Sequence, residues 1–220
     1  MDLTPGPLDA RPGQAVYSRR ILAVYDLGVL RLSYPLAWGC PSKHLVAHYN
    51  RNVGVNHLDI GVGTGFFLDR CRFPQPPTIT LVDMNANSLA VTDERLRRYR
   101  VSTLQANILD PLLLPPESFD SIGINCLLHC LPGTFDQKTT ALANVRKLVR
   151  PGGVVFGSTV LVKGVHHNPL GRYLVNSWNR RGIWSNRHDD HPGPQRALGS
   201  HFTHVEIEMR GRSALFTARP

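Results

Sequence analysis

Two spacings of apolar residues alternate along this 220-residue chain. Short apolar runs of strand length occur at 55–60, 78–83, 101–106, 119–125 and 154–160. Between them, residues near 64–72, 87–99 and 135–149 repeat their apolar positions every three or four residues, the period of a helix packed on one face. Strands that alternate with helices predict a parallel sheet covered on both sides. The tail changes period. His204-Val-Glu-Ile-Glu-Met209 alternates in twos, Arg210-Gly-Arg212 turns, and Ala214-Leu-Phe-Thr217 returns. That hairpin adds two strands, the last of them antiparallel, at the sheet edge. The predicted fold class is therefore α/β: a seven-stranded, mostly parallel, doubly wound sheet.

The flanks of this core divide the single predicted domain, residues 1–220. Residues 1–14 carry Pro5, Pro7 and Pro12 and read as a loose lead-in. Residues 15–52 read as a helical cover: one helix over 15–32, then a second over 42–51 with Ser42 as its N-cap. Residues 53–161 form the α/β core, and 201–220 form the hairpin. Between them, 162–200 is too long for a plain connection and shows no long regular apolar pattern. It carries His166, His167, Trp178, Asn179, Trp184, Asn186 and Asp189. Such a segment is costly to order unless it closes over something, which predicts a lid.

The candidate chemistry concentrates in His57-Leu-Asp-Ile-Gly-Val-Gly-Thr-Gly-Phe66. Gly61, Gly63 and Gly65 follow a strand and precede a helix, where a backbone must turn sharply and approach a ligand closely. The following helix start offers free N–H groups to polar ligand atoms. Thr78-Ile-Thr-Leu-Val-Asp83 is the next strand and ends in an acid, twenty residues after Gly63. That spacing suits an acid gripping a ribose. Open α/β sheets bind ligands beyond the carboxyl ends of their strands, where Gly61, Asp83, Asn107, Ile108 and Asn125 all fall.

These residues resemble the class I S-adenosylmethionine-dependent methyltransferases, which carry an acid two residues before the first glycine (Asp59), a G-x-G-x-G loop, and an acid closing the second strand (Asp83). A dinucleotide fingerprint fits less well, because its third glycine would fall at Phe66. Trp38-Gly-Cys-Pro41, Leu128 to Gly133 and Trp178-Asn-Arg-Arg-Gly182 add a likeness to small bacterial and fungal enzymes of secondary metabolism. The resemblance implies S-adenosylmethionine as cofactor and S-adenosylhomocysteine as product. Asp83 and its neighbour Asn85 would meet the ribose side, with Met84 and Ile108 flanking the adenine and Asn107 facing its exocyclic amine. Gly61, Gly63, Thr64 and Gly65, with the backbone around Asn125, would cradle the methionine part, and Asp59 would brace the loop.

Methyl transfer from a sulfonium needs alignment above all, and needs a base only when the acceptor must lose a proton. His129, just past the fourth strand, is the best-placed base in the sequence; helix capping and core packing are its other readings. Tyr17, Trp38, Trp178, Asn179 and Asn186 are the candidate acceptor-binding residues, with core packing as the alternative for the aromatics. The acceptor expected is a small organic molecule, methylated on oxygen, nitrogen or carbon.

Composition narrows the remaining readings. The net charge of +9 comes from dispersed arginines, so nucleic acid is not the favoured partner. A methyltransferase-like nucleic-acid- or protein-binding module stays as an alternative. So does a ribose 2′-O-methyltransferase, because Lys43, Asp120, Lys163 and Glu206 mimic the order of its tetrad. The N/D-P-P-Y/F motif of amide-nitrogen methyltransferases is replaced here by Asn125-Cys-Leu-Leu128. No apolar run reaches the ~18 residues of a membrane span. Four cysteines without a C-x-x-C pair, and a start with no apolar signal core, predict reduced thiols, a cytoplasmic location and no metal. Monomer and homodimer both remain open.

Overall fold

A computed structural model of the chain describes Ala10, Gly28 and residues 33–220. The predicted lead-in over 1–14, but for Ala10, and nearly all of the predicted helix 15–32, with Tyr17 and Tyr25, lie outside the described residues. The elements that follow are α1 (Tyr34–Trp38), α2 (Ser42–Asn52), β1 (Asn56–Ile60), α3 (Phe66–Arg70), β2 (Thr78–Asp83), α4 (Ala86–Arg95) and β3 (Arg100–Gln105). Then come β4 (Phe119–Asn125), α5 (Phe135–Arg146), β5 (Val149–Val160), α6 (Pro169–Arg180), α7 (Gly193–Gly199), β6 (His204–Arg210) and β7 (Ser213–Arg219).

The seven strands lie in the order β3-β2-β1-β4-β5-β7-β6, with β7 antiparallel to both of its neighbours and every other pair parallel. The seven-stranded, mostly parallel sheet read from the sequence is therefore present, antiparallel last strand included. The central strands are buried almost throughout, as strands covered on both faces must be, even where they carry His57, Asp59 and Ser121. Leu58, Ile79, Leu81, Val82, Ile122, Ile124, Val155 and Phe156 are fully buried.

Local chemistry explains most element boundaries. Asn85 caps α4 by accepting from the Asn87 N–H at 2.9 Å. Thr134 and Gln137 close a reciprocal capping box at the start of α5. Helix α3 begins at Phe66 rather than Thr64 because Gly65 stands in the left-handed region, φ 70°. Strand β5 begins five residues before the expected Val154, since Val149 already pairs with Phe119 and the register then shifts across Pro151-Gly-Gly153.

The 162–200 segment departs most from expectation. It contains a full amphipathic helix, α6, started by Asn168, whose side chain accepts from the Gly171 N–H at 2.8 Å. Leu170, Leu174, Val175 and Trp178 follow helical spacing, a signal present in the sequence. The inward side of α6 joins a core cluster with α1: Trp38, Val175 and Trp184 are buried together with Tyr34, Leu45 and Phe66. Trp38 and Trp184 lie 5.3 Å apart between ring centroids, Trp178 and Trp184 4.5 Å.

One further contact holds this segment to the sheet. Lys138 of α5 and Asp189 are both fully buried, and Lys138 Nζ donates to both Asp189 oxygens at 3.0 and 2.8 Å. Burial pulls the Lys138 amine down and pushes the Asp189 carboxyl up, to about 6, and in each case the partner's charge opposes the shift. Removing one partner strands a charge in the interior. Asp189→Asn is expected to lower stability in urea unfolding by about 3–5 kcal/mol, while Lys138→Met with Asp189→Leu recovers most of that loss. Equal stability of Asp189→Asn and the parent would show that the pair carries no such role.

Candidate active site

Strand order reverses between β1 and β4, so the connections from their carboxyl ends leave in opposite directions and open a crevice. A cleft of about 960 Å³, including its open mouth, occupies that position. Its floor is Asp59, Ile60 and the loop Gly61–Thr64. On the β2–β3 side stand Asp83, Met84, Ser88, Ala106, Asn107 and Ile108; on the β4 side stand Asn125, Cys126, Leu127, Cys130 and Leu131. Tyr49, Phe66, Phe67 and Ala10 complete the described lining.

The loop is held by its own backbone. Gly61 N–H donates to Val82 O at 2.8 Å and Gly65 N–H to Val62 O at 2.9 Å. Gly63 takes φ 56°, and a Cβ built there meets no atom within 4 Å, so the loop presents bare backbone at this point. Gly65 has the opposite constraint: a Cβ would sit 2.6 Å from the Thr92 methyl of α4.

Beneath the loop runs an oriented chain of hydrogen bonds. Gly54 N–H donates to Ser121 Oγ at 2.7 Å, and Ser121 Oγ lies 2.7 Å from His57 Nδ1. His57 Nε2 lies 3.3 Å from Asp59 Oδ2, which also accepts from Tyr49 OH at 2.8 Å. A carboxylate only accepts, so His57 Nε2–H donates to Asp59 and Nδ1 meets the Ser121 hydroxyl. Asp59 Oδ2 is thereby engaged from below.

Asp83 is placed differently. Its Oδ1 accepts from Asn85 N–H at 2.8 Å and its Oδ2 from Gly63 N–H at 3.5 Å. Burial raises its pKa to about 6, only partly opposed by those N–H groups. Asn125 is more exposed to loss: it is 5% accessible, and neither its amide nitrogen nor its amide oxygen has a partner. A buried amide without partners is costly, and here it belongs to a residue lining the cleft. An acid for a diol, a bare glycine backbone and an unsatisfied amide together fit a ligand with a ribose at one end and polar amino-acid groups at the other.

Of the residues singled out from sequence, Asp59, Gly61, Gly63, Thr64, Asp83, Met84, Asn107, Ile108 and Asn125 come together at this cleft. Gly65 lies under the loop, and Asn85 turns its side chain to capping α4 instead of the cleft. The expected acceptor residues need correction. Trp38 and Asn186 are fully buried, and Trp38, Trp178, Asn179 and Asn186 are all absent from the cleft lining. Asn179 Nδ2 donates to Asn186 Oδ1 at 2.9 Å, and Asn186 Nδ2 to Val160 O at 2.9 Å, so both amides are spent on joining α6 to β5. The aromatics are spent on packing. Tyr17 lies outside the described residues.

His129 is corrected as well. It does not line the cleft, and its ring lies against Trp184 at 4.3 Å between centroids. Its Nδ1 accepts from Val160 N–H at 3.3 Å. Burial, with Lys138 nearby, depresses its pKa to about 3. The reverse omission is a wall unseen in the sequence: Tyr49, Phe66, Phe67, Cys126 and Cys130. Only Cys126 carries an irregular feature, a positive φ of 57° stabilised as Tyr34 OH donates to its Sγ at 2.7 Å. The tetrad of the ribose methyltransferases is not assembled at the cleft. Asp120 opens β4 at the opposite end of the sheet, where it accepts from Val55 and Asn56 N–H and pairs with Arg150.

Comparison with known proteins agrees with this geometry. A family profile described as a methyltransferase domain matches residues 58–155. The chain is 44% identical over 207 residues to demethylluteothin O-methyltransferase of Streptomyces thioluteus, covering 94% of this chain and 90% of that protein. It is 38% identical over 208 residues to the physcion biosynthesis cluster O-methyltransferase of Aspergillus chevalieri, covering 94% of each. Among solved structures, the DhpI–SAH complex superposes with a TM-score of 0.68 at 16% identity, over 96% of both chains. The chain belongs to the class I S-adenosylmethionine-dependent methyltransferases.

The state of His129 is open to a direct measurement. Its folded pKa of about 3 lies below the ordinary histidine value of 6.5, so the unfolded chain takes up the proton first as pH falls. The stability it contributes is present above pH 6.5 and is lost below it. Between pH 7 and pH 5 the wild type should lose about 2 kcal/mol more than His129→Gln in urea unfolding. Parallel losses in the two proteins would mean that His129 is charged and solvated when folded.

Proposed function

We propose that this chain transfers a methyl group from S-adenosylmethionine to an oxygen of a small organic acceptor, as part of secondary metabolism. The observation that carries the reading is the unpartnered amide of Asn125 in a cleft that also holds the Asp83 carboxylate and the bare backbone of Gly63. The O-methyltransferase names of the two relatives support oxygen as the acceptor atom, and the SAH bound in the DhpI structure supports the donor.

Asp83 would accept from the two ribose hydroxyls, because an ionised carboxylate makes the stronger, charge-assisted bonds to a diol. Met84 and Ile108 would flank the adenine, with Asn107 at its edge. The Gly61–Thr64 backbone and Asn125 would take the methionine end. The sulfonium supplies an already activated methyl group, so the protein's share of the work is orientation. That share falls to the apolar lining, where Phe66 and Phe67 of α3 and Leu127 and Leu131 on the β4 side offer walls to the acceptor. His129, neutral and off the cleft, serves in this reading as a tie between backbone segments rather than as the base. The four free cysteines support a reducing, cytoplasmic setting.

Calorimetry with S-adenosylmethionine tests the reading directly. Asp83→Ala is expected to weaken binding about 100-fold while leaving the fold intact, the loss of two charge-assisted hydrogen bonds. The pH dependence follows from the carboxyl pKa of about 6. Above it the acceptor is ionised and binding is full; below it affinity falls, by up to about tenfold per pH unit. Undetectable binding to the wild type, or equal binding to Asp83→Ala, defeats the proposal.

A further inference from the structure

The β4 side of the cleft is a short loop, tied to β5 at Cys126 N–H, which donates to Ser158 O at 2.9 Å, and at His129 Nδ1, which accepts from Val160 N–H at 3.3 Å. After β4 ends at Asn125, residues 126–133 make two tight turns, with Cys130 N–H donating to Leu127 O at 2.8 Å and Leu131 N–H to Leu128 O at 3.3 Å. Four of these residues, Cys126, Leu127, Cys130 and Leu131, line the cleft. A loop that begins in a positive φ and rests on two local turns is held in place from outside.

A second support, from outside the sheet, comes from Ser185. Its N–H donates to His129 O at 2.9 Å, in the middle of the loop. Its hydroxyl oxygen accepts from Gly133 N–H at 3.2 Å, at the loop's far end. Its carbonyl accepts from Lys138 Nζ at 3.0 Å, the same ammonium that is locked onto Asp189. Asp189 is in turn fixed to the end of β5, where its carbonyl accepts from Val162 and Lys163 N–H at 2.9 and 3.0 Å. One residue thus links the wall of the cleft to a buried ion pair and to the sheet.

We propose that Ser185 is a positioning residue, which holds the wall Cys126–Leu131 at a set depth and so places the methyl acceptor against the donor. The acceptor's part in this rests on the methyl-transfer reading above; the hold on the wall does not. The 162–200 segment then acts as a fixed buttress from behind the cleft instead of a moving lid over it. Its specificity is exerted without contact. Small displacements of such a wall matter, since misplacing a reacting group by about 1 Å costs on the order of 100-fold in rate.

The test uses the full chain and needs no identified acceptor. Cys126 and Cys130 report the wall; Cys71, buried in a separate core cluster, is the internal control. Wild type, Ser185→Ala and Ser185→Thr are labelled with N-ethylmaleimide and each cysteine is followed by mass spectrometry. S-adenosylhomocysteine affinity is measured alongside by calorimetry. Ser185→Ala removes the acceptor for Gly133 N–H, so labelling at Cys126 and Cys130 should rise about fivefold through local opening, with Cys71 unchanged. S-adenosylhomocysteine affinity should stay within about twofold, because the β2–β3 side is untouched, and Ser185→Thr should restore the wild-type rates. Unchanged labelling in Ser185→Ala overturns the proposal, and so does a rise shared equally by all four cysteines. If S-adenosylhomocysteine fails to bind even the wild type, the methyl-transfer reading fails, and the labelling pattern still decides whether Ser185 holds the wall.

Discussion

The reversal of strand order between β1 and β4 is the constraint on which everything else at this site depends. Parallel strands require crossovers, and where successive crossovers leave in opposite directions the backbone cannot close over the strand ends. The chain fills the opening with a loop whose central residue, Gly63, presents no side chain. Beneath it, one oxygen of the buried Asp59 carboxylate is engaged by the side chains of Tyr49 and His57. At the cleft, Asp83 is held by the backbone N–H groups of Asn85 and Gly63, and the Asn125 amide has no partner among the described residues. The same residue type is tied by side chains of the core in one place and by the loop backbone twenty-four residues later.

The second half of the molecule solves a different problem, the attachment of a long segment to an already complete sheet. Apolar packing supplies part of the answer through the Trp38, Trp178 and Trp184 cluster. Polar groups supply the direction. Asn179, Asn186, Ser185 and Asp189 each meet a backbone group or Lys138, so the segment seats in one register only. A buried ion pair is a poor source of net stability, but it discriminates strongly against any arrangement that leaves one charge alone.

A division of labour across the cleft follows. The β2–β3 side is made of strand ends and a capped helix, rigid elements with short connections. The β4 side is made of a loop that depends on residues more than fifty positions away. In a family whose members share a donor and differ in acceptor, variation can be confined to the supported wall while the donor side stays as it is.

The sequence by itself determined the sheet, its antiparallel last strand, the glycine loop and many of the residues that line the cleft. These depend on period, on turn chemistry and on spacing between neighbours, all of which are local. It did not determine the far wall or the roles of His129, Trp178, Asn179 and Asn186. A histidine past a strand, or an asparagine in an aromatic segment, has the same chemistry whether it faces a cleft or a core. Only the fold brings Val160 to His129 and Lys138 to Asp189, and burial then decides the matter by making an unpartnered polar group expensive. Helix α6 was legible in its Leu170, Leu174 and Trp178 spacing. What it packs against was not, because α1, α6 and the end of β5 are far apart in the chain and meet only in three dimensions.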